Sequence, residues 1–267
     1  MLQSQVFPYY RECVENLTKA YAYMQSFFDE VQIEELCTMR GYVDEEHRTL
    51  FKEMNIGYCN IDDITELGSK AFELGLITKQ DGFLLNNRFI IPVEDIAGNL
   101  STFIGYYPDY KKYITVSTPF FSKGTMFFNY RQALECSFEK WNGLVILVEG
   151  IFDCLSLRSI GLPCIATMGS DVTQEKCELL RVFRKVLAIP DDDKTGRRAL
   201  DRYSKYGWKV PSTATMIKFV GGYVEFNGTE LHCKDMDNFV AWYEKEDVIE
   251  SLLQFKDSRE EIEVLKL

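Results

Sequence analysis

The chain has 267 residues, enough for one large domain or two small ones with real cores. An apolar fraction of 46% and a charged fraction of 27% match an ordinary soluble globular protein. A net charge of −11 argues against a tight, nonspecific nucleic-acid binder, because phosphate neutralisation supplies most such affinity. No apolar run is long enough to span a bilayer, and an amino terminus with Gln3, Tyr9 and Arg11 does not read as a signal peptide. The expectation is a cytoplasmic protein with no membrane partner. The cysteines, Cys13, Cys37, Cys59, Cys136, Cys154, Cys164, Cys177 and Cys233, are scattered and often lie in apolar runs, like reduced core residues. No Cys-x-x-Cys occurs and the only histidines are His47 and His232, so a zinc site is not expected.

In chain order, Cys13, Leu17, Tyr21, Met24, Phe28 and Val31 recur at spacings of three and four, which predicts an amphipathic helix or two over Tyr10 to Glu35. Asn86 to Tyr107 predicts a hairpin of two strands joined by a turn at Asp95 to Asn99. Three unbroken apolar runs follow, Val145 to Val148, Cys164 to Met168 closed by Gly169, and Val186 to Ile189, the pattern of strands buried on both faces of a parallel sheet. Phe239 to Phe255 predicts a closing helical stretch. Soft boundaries near Ala133 to Asn142 and just after Gly221 give an expected division into 1–136, 137–240 and 241–267.

The first and third apolar runs end in carboxylates, VILVEGIFD (Val145 to Asp153) and VLAIPDDDKTG (Val186 to Gly196). Ligands of such sheets gather at the carboxyl ends of the strands, so Glu149, Asp191 and Asp193 should share one rim. Asp153 lies one helical turn behind it. Acids gathered at one rim repel one another unless a cation compensates them, and Mg²⁺ or Mn²⁺ suits oxygen ligands beside substrate phosphates.

This arrangement resembles the TOPRIM domain shared by bacterial-type primases, topoisomerases, some nucleases and recombination mediators. The resemblance covers Leu144 to Asn238 and includes KDMDN (Lys234 to Asn238), which marks Asp235 and Asp237 for a second metal. Upstream, Arg88 and Pro92 in one strand, the Lys112-Tyr113 pair and Lys123-Gly124 resemble, in that order, the bacterial and phage primase core. MRGY (Met39 to Tyr42) and NIGYC (Asn55 to Cys59) resemble the segment leading into it. The implied fold class is α/β: a TOPRIM domain with a mostly parallel sheet, preceded by a mixed α+β primase subdomain and followed by a short helical tail. A zinc-binding module before the core is not expected, and the carboxyl-terminal subdomain is expected to be truncated.

By that resemblance the chain is a primase core joining ribonucleoside triphosphates on single-stranded DNA by two-metal nucleotidyl transfer. Glu149 would hold the first metal or accept the hydroxyl proton, Asp191 and Asp193 would hold the metal that carries the triphosphate, and Asp153, Asp235 and Asp237 would be additional ligands or support these. Arg40, Arg88, Lys112, Lys123 and Lys194, with Tyr113 beside them, would face template and triphosphate. A replicative helicase or a separate zinc-binding protein would be the partner, and a phage or mobile element the expected source. The pattern departs from the family at Gly105-Tyr106, where Gly-Arg is usual, at Thr115 in place of Asn, and at Asp192 in place of Gly. Two alternatives stay open: a TOPRIM nuclease using the same acids for hydrolysis, and a noncatalytic replisome module.

Overall fold

The computed structural model describes residues 3–42, 45–61, 65–78, 82–110, 112–169, 173–189, 191, 215–216, 223–226, 229–232 and 235–253. Two of the expected site residues, Asp193 and Lys194, lie outside these. The chain divides into two compact units after Ser122.

In the first unit, α1 (Gln3–Gln25) presents Cys13, Leu17, Ala20 and Met24 to a core that also contains Ile90, Phe103 and Val116. The expected stripe is real as far as Phe28, which packs against the same core, and fails at Val31, which is 63% exposed. The chain breaks at Ser26 to Phe28, and Asp29 starts α2 (Glu30–Arg40) by accepting the Val31 N–H at 2.9 Å, which resets the helical phase. Gly41, at φ 77°, ends α2 in the left-handed conformation that glycine adopts at low cost. After α3 (Glu45–Glu53) comes β1 (Gly57–Cys59). A Cβ on Gly57 would stand 2.0 Å from the Phe28 ring, so this close approach requires glycine. The short elements α4 (Ser69–Glu73), β2 (Ile77–Thr78) and β3 (Gly82–Phe83) lead into the hairpin.

β4 (Arg88–Glu94) and β5 (Leu100–Tyr107) pair antiparallel, as expected. The Asp95 carboxylate closes their turn by accepting the N–H groups of Ala97 and Asn99, each at 2.9 Å. With β6 (Lys112–Thr115) they complete a four-stranded sheet in the order β1-β4-β5-β6.

The second unit contains α5 (Tyr130–Lys140), β7 (Leu144–Val148), α6 (Ile151–Ser159), β8 (Cys164–Ala166), α7 (Gln174–Leu180), β9 (Lys185–Ala188) and β10 (Thr215–Met216). Its sheet runs β10-β9-β7-β8 and every pairing is parallel. All five residues of β7 are buried, as the unbroken apolar run requires of a central strand. A ribbon of β11 (Tyr223–Phe226) and β12 (Thr229–His232) precedes α8 (Met236–Trp242) and α9 (Lys245–Leu253). The single closing helical stretch expected from the sequence is therefore two helices. α5 also sits differently from the expected 136/137 division: Phe127, Tyr130 and Ala133 pack with Val145, Leu147 and Val186, which ties the segment before residue 136 to the parallel sheet. No described helix is long and apolar enough to cross a membrane.

Candidate metal centre

Glu149 immediately follows β7, and one of its carboxylate oxygens is shielded from solvent. Gly150 turns the chain into α6 and places Asp153 in the first helical turn, 7% exposed. A Cβ at position 150 would stand 2.2 Å from Asp153 Oδ2, so glycine is what lets the carboxylate fold back over the start of its own helix. On the next strand of the rim, Ile189 N–H donates to the Leu147 carbonyl at 2.8 Å, and Asp191 follows two residues later. The distant acidic pair arrives on α8, which packs against α6. Asp235 caps α8 by accepting the Asn238 N–H at 3.0 Å. Asp237, 5% exposed, donates its backbone N–H to Asp153 Oδ1 at 2.9 Å and accepts the Ser156 hydroxyl at 2.6 Å.

The structure thus brings Asp153, Asp191, Asp235 and Asp237 into one electrostatic neighbourhood. Burial pushes the Asp153 carboxyl well above the ordinary carboxylate range, and the negative charges of Asp235, Asp237 and Asp191 push it further. The Asp237 N–H opposes this in part. Among the described residues no three of these groups already converge as a ligand set. The reason is visible in the hydrogen bonds: Asp153, Asp235 and Asp237 each brace a helix start or the α6–α8 contact. The donor set is nonetheless all oxygen, dense in negative charge and partly dehydrated, which fits a hard divalent cation. Oxygens of Glu149, Asp191 and their neighbours would hold it.

The expected cationic set falls on both units. In the first, Arg40 Nε donates to the Tyr42 hydroxyl at 3.1 Å and Nη1 to the Tyr106 hydroxyl at 3.2 Å. Its guanidinium lies 5.9 Å from the Tyr106 ring centroid. Tyr106, where the resemblance expects arginine, therefore draws a cation from α2 to its own place on the sheet, beside Tyr113 at a ring distance of 4.9 Å. Arg88 donates from Nε to the Leu84 carbonyl at 3.0 Å and stands 5.5 Å from the Tyr107 ring centroid. Its stem passes over Gly105, where a Cβ would meet Arg88 Cδ at 2.7 Å. Lys112 and Tyr113 are exposed on β6, with the Lys112 ammonium 5.7 Å from the Tyr110 ring centroid. Lys123, also exposed, begins the second unit.

Sequence reasoning missed Ser156 and Lys176. Ser156 is an ordinary serine until α8 docks on it. Lys176 reads as a solvated helix lysine in QEKCELL but is 1% exposed.

Residues 146–239 match the Toprim-like family model, and these residues are a Toprim-like domain. The chain is 27% identical over 219 residues to a DNA primase of Clostridium acetobutylicum, covering 75% of this chain and 34% of that protein. It superposes on the Aquifex aeolicus primase structure containing zinc-binding and RNA polymerase domains with a TM-score of 0.70 and 24% identity, over 90% of this chain and 61% of that one. A DnaG primase catalytic domain bound to single-stranded DNA matches with a TM-score of 0.67 and 18% identity, over 91% of this chain and 80% of that one. Over about nine-tenths of its length the chain therefore has the fold of a DnaG-type primase catalytic core. It spans about a third of the length of the first of these relatives.

Proposed function

We propose that the chain is a DNA primase core that builds short RNA primers on a single-stranded DNA template from ribonucleoside triphosphates. The observation that carries this reading is the buried Asp153 carboxyl in the first turn after β7, set among the charges of Asp191, just beyond β9, and of Asp235 and Asp237 at the start of α8. Such a cluster is costly unless positive charge joins it. Glu149, Asp191 and Asp193 would hold Mg²⁺ or Mn²⁺, and Asp153, Asp235 and Asp237 would support them. When bound, the divalent ions acidify the attacking 3′-hydroxyl and neutralise the triphosphate. Glu149 either contributes to the first ion or accepts the hydroxyl proton. Arg40 and Arg88, fixed by tyrosine hydroxyls, a carbonyl and aromatic faces, orient anionic oxygens. The exposed Lys112 and Lys123 supply general phosphate attraction, with Lys194 joining them, and Tyr113 offers a flat face to a base.

Weak intrinsic template affinity follows from the net charge of −11. Tethering by a replicative helicase or a separate zinc-binding protein would offset it, and the core itself would need no zinc. The setting is the cytoplasm of a bacterium or a phage-infected cell. Incubation with labelled ribonucleotides, Mg²⁺ or Mn²⁺ and single-stranded DNA tests the proposal. New short RNA chains are expected. Shortened templates without extension would instead identify a nuclease.

A further inference from the structure

Lys176 is a buried ammonium that the proposed chemistry leaves unused. It projects from the first turn of α7, 1% exposed, and its Nζ donates to the Thr167 carbonyl at 2.7 Å. The same Nζ lies 5.2 Å from the Phe127 ring centroid. A buried cation is costly, so its retention calls for a reason beyond filling space.

The reason lies in what Thr167 does. β7 and β8 run in parallel register with Val148 opposite Ala166, which sets Thr167 beside Glu149 at the rim. Thr167 N–H donates to the Val148 carbonyl at 3.0 Å, and its hydroxyl donates to the Gly169 carbonyl. The residue between, Met168, has φ 58°, a conformation rare for a bulky side chain. Such strain persists only where the surroundings over-determine it. Here α7 itself is anchored, because Thr173 accepts the Lys176 N–H at 3.3 Å and donates its hydroxyl to the Gly124 carbonyl. Lys176 thus runs as a brace from an anchored helix to the carbonyl that opens the strained turn. Phe127 forms its other wall, and the adjoining Phe128 is bonded to Ala166 in both directions.

We infer that Lys176 is a positioning residue that holds the Thr167–Gly169 turn in its strained conformation beside Glu149. The inference rests on the proposed nucleotidyl transfer for its catalytic consequence, though not for its structural one. Lys176→Met keeps an apolar side chain of similar length and removes the ammonium, and with it the bond to the Thr167 carbonyl and the attraction to the Phe127 ring. The variant should fold with a Tm within about 3 °C of wild type. Amide exchange over Thr167–Gly169 should quicken, and the kcat of primer synthesis should fall by about 10- to 100-fold with little change in template KM. Adding Met168→Gly, which adopts a positive φ freely, should restore much of the lost kcat. Unchanged exchange in this segment would overturn the inference. So would wild-type kcat, or an unfolded Lys176→Met protein, which would make the lysine a determinant of core stability instead. An inactive wild type would defeat the primase reading alone, because the exchange measurement requires no turnover.

Discussion

Glu149→Gln and Asp191→Asn are each expected to lower primer synthesis on the order of 10³-fold, with Tm equal to or above that of wild type. Both changes preserve shape and replace a carboxyl by an amide just beyond the end of a parallel strand. Glu149 follows a strand whose five residues are all buried, so its backbone is placed by the core and not by the carboxylate. Asp191 contributes to the field that raises Asp153, so neutralising it relieves repulsion in the metal-free protein. Loss of activity with retained folding is therefore the signature of a group that serves the reaction at the expense of stability. Primer assays paired with thermal melts measure both sides. Full activity in either variant would remove that residue from the site.

Asp153→Asn is expected to stabilise the metal-free protein at pH above the raised Asp153 titration. The folded-state carboxyl titrates above its ordinary value near 3.8, first because it is buried and then because Asp235, Asp237 and Asp191 surround it. The native state thus binds a proton that the unfolded chain has already lost, and stability falls with rising pH over that interval. This contribution is whole below the ordinary carboxylate value and is lost as the pH climbs through the raised one. Asparagine can still accept the Asp237 N–H through its carbonyl oxygen but has no proton to lose. The variant should be more stable than wild type at high pH, with a Tm higher by roughly 2–4 °C per kcal/mol gained for a chain of this size. Its stability-against-pH curve should be flatter between the ordinary carboxylate value and the raised one. A variant with the wild-type pH dependence would show that Asp153 is ionised in the native protein throughout.

The central strands were legible because burial on both faces leaves an unbroken apolar run, as in β7, β8 and β9. The hairpin was legible because Asp95 to Asn99 carries turn chemistry between two strongly β-forming segments. Local pattern also placed Glu149 and Asp191 just beyond the β7 and β9 runs. What it could not supply were contacts made only by docking. The bond from the Asp237 N–H to Asp153 joins residues far apart in sequence and depends on α8 packing against α6. The same holds for Tyr106, which reads as a lost cation but gathers the Arg40 guanidinium from another element. Lys176 escaped notice because a lysine early in a helix is normally solvated, and only the packing of α7 against Phe127 and Thr167 buries it. Val31 failed in the opposite sense, since the Asp29 cap restarts the helix and turns the expected stripe toward solvent.

Calorimetric titration of the wild-type protein and of the Glu149→Gln/Asp191→Asn double variant with Mn²⁺, in two buffers of different ionisation enthalpy, tests most directly whether the acidic rim is a cation site. Saturable binding to wild type is expected, accompanied by proton release at any pH below the raised Asp153 titration, and this binding should be lost in the double variant. Absence of binding, or identical binding and proton release in the two proteins, would contradict the account.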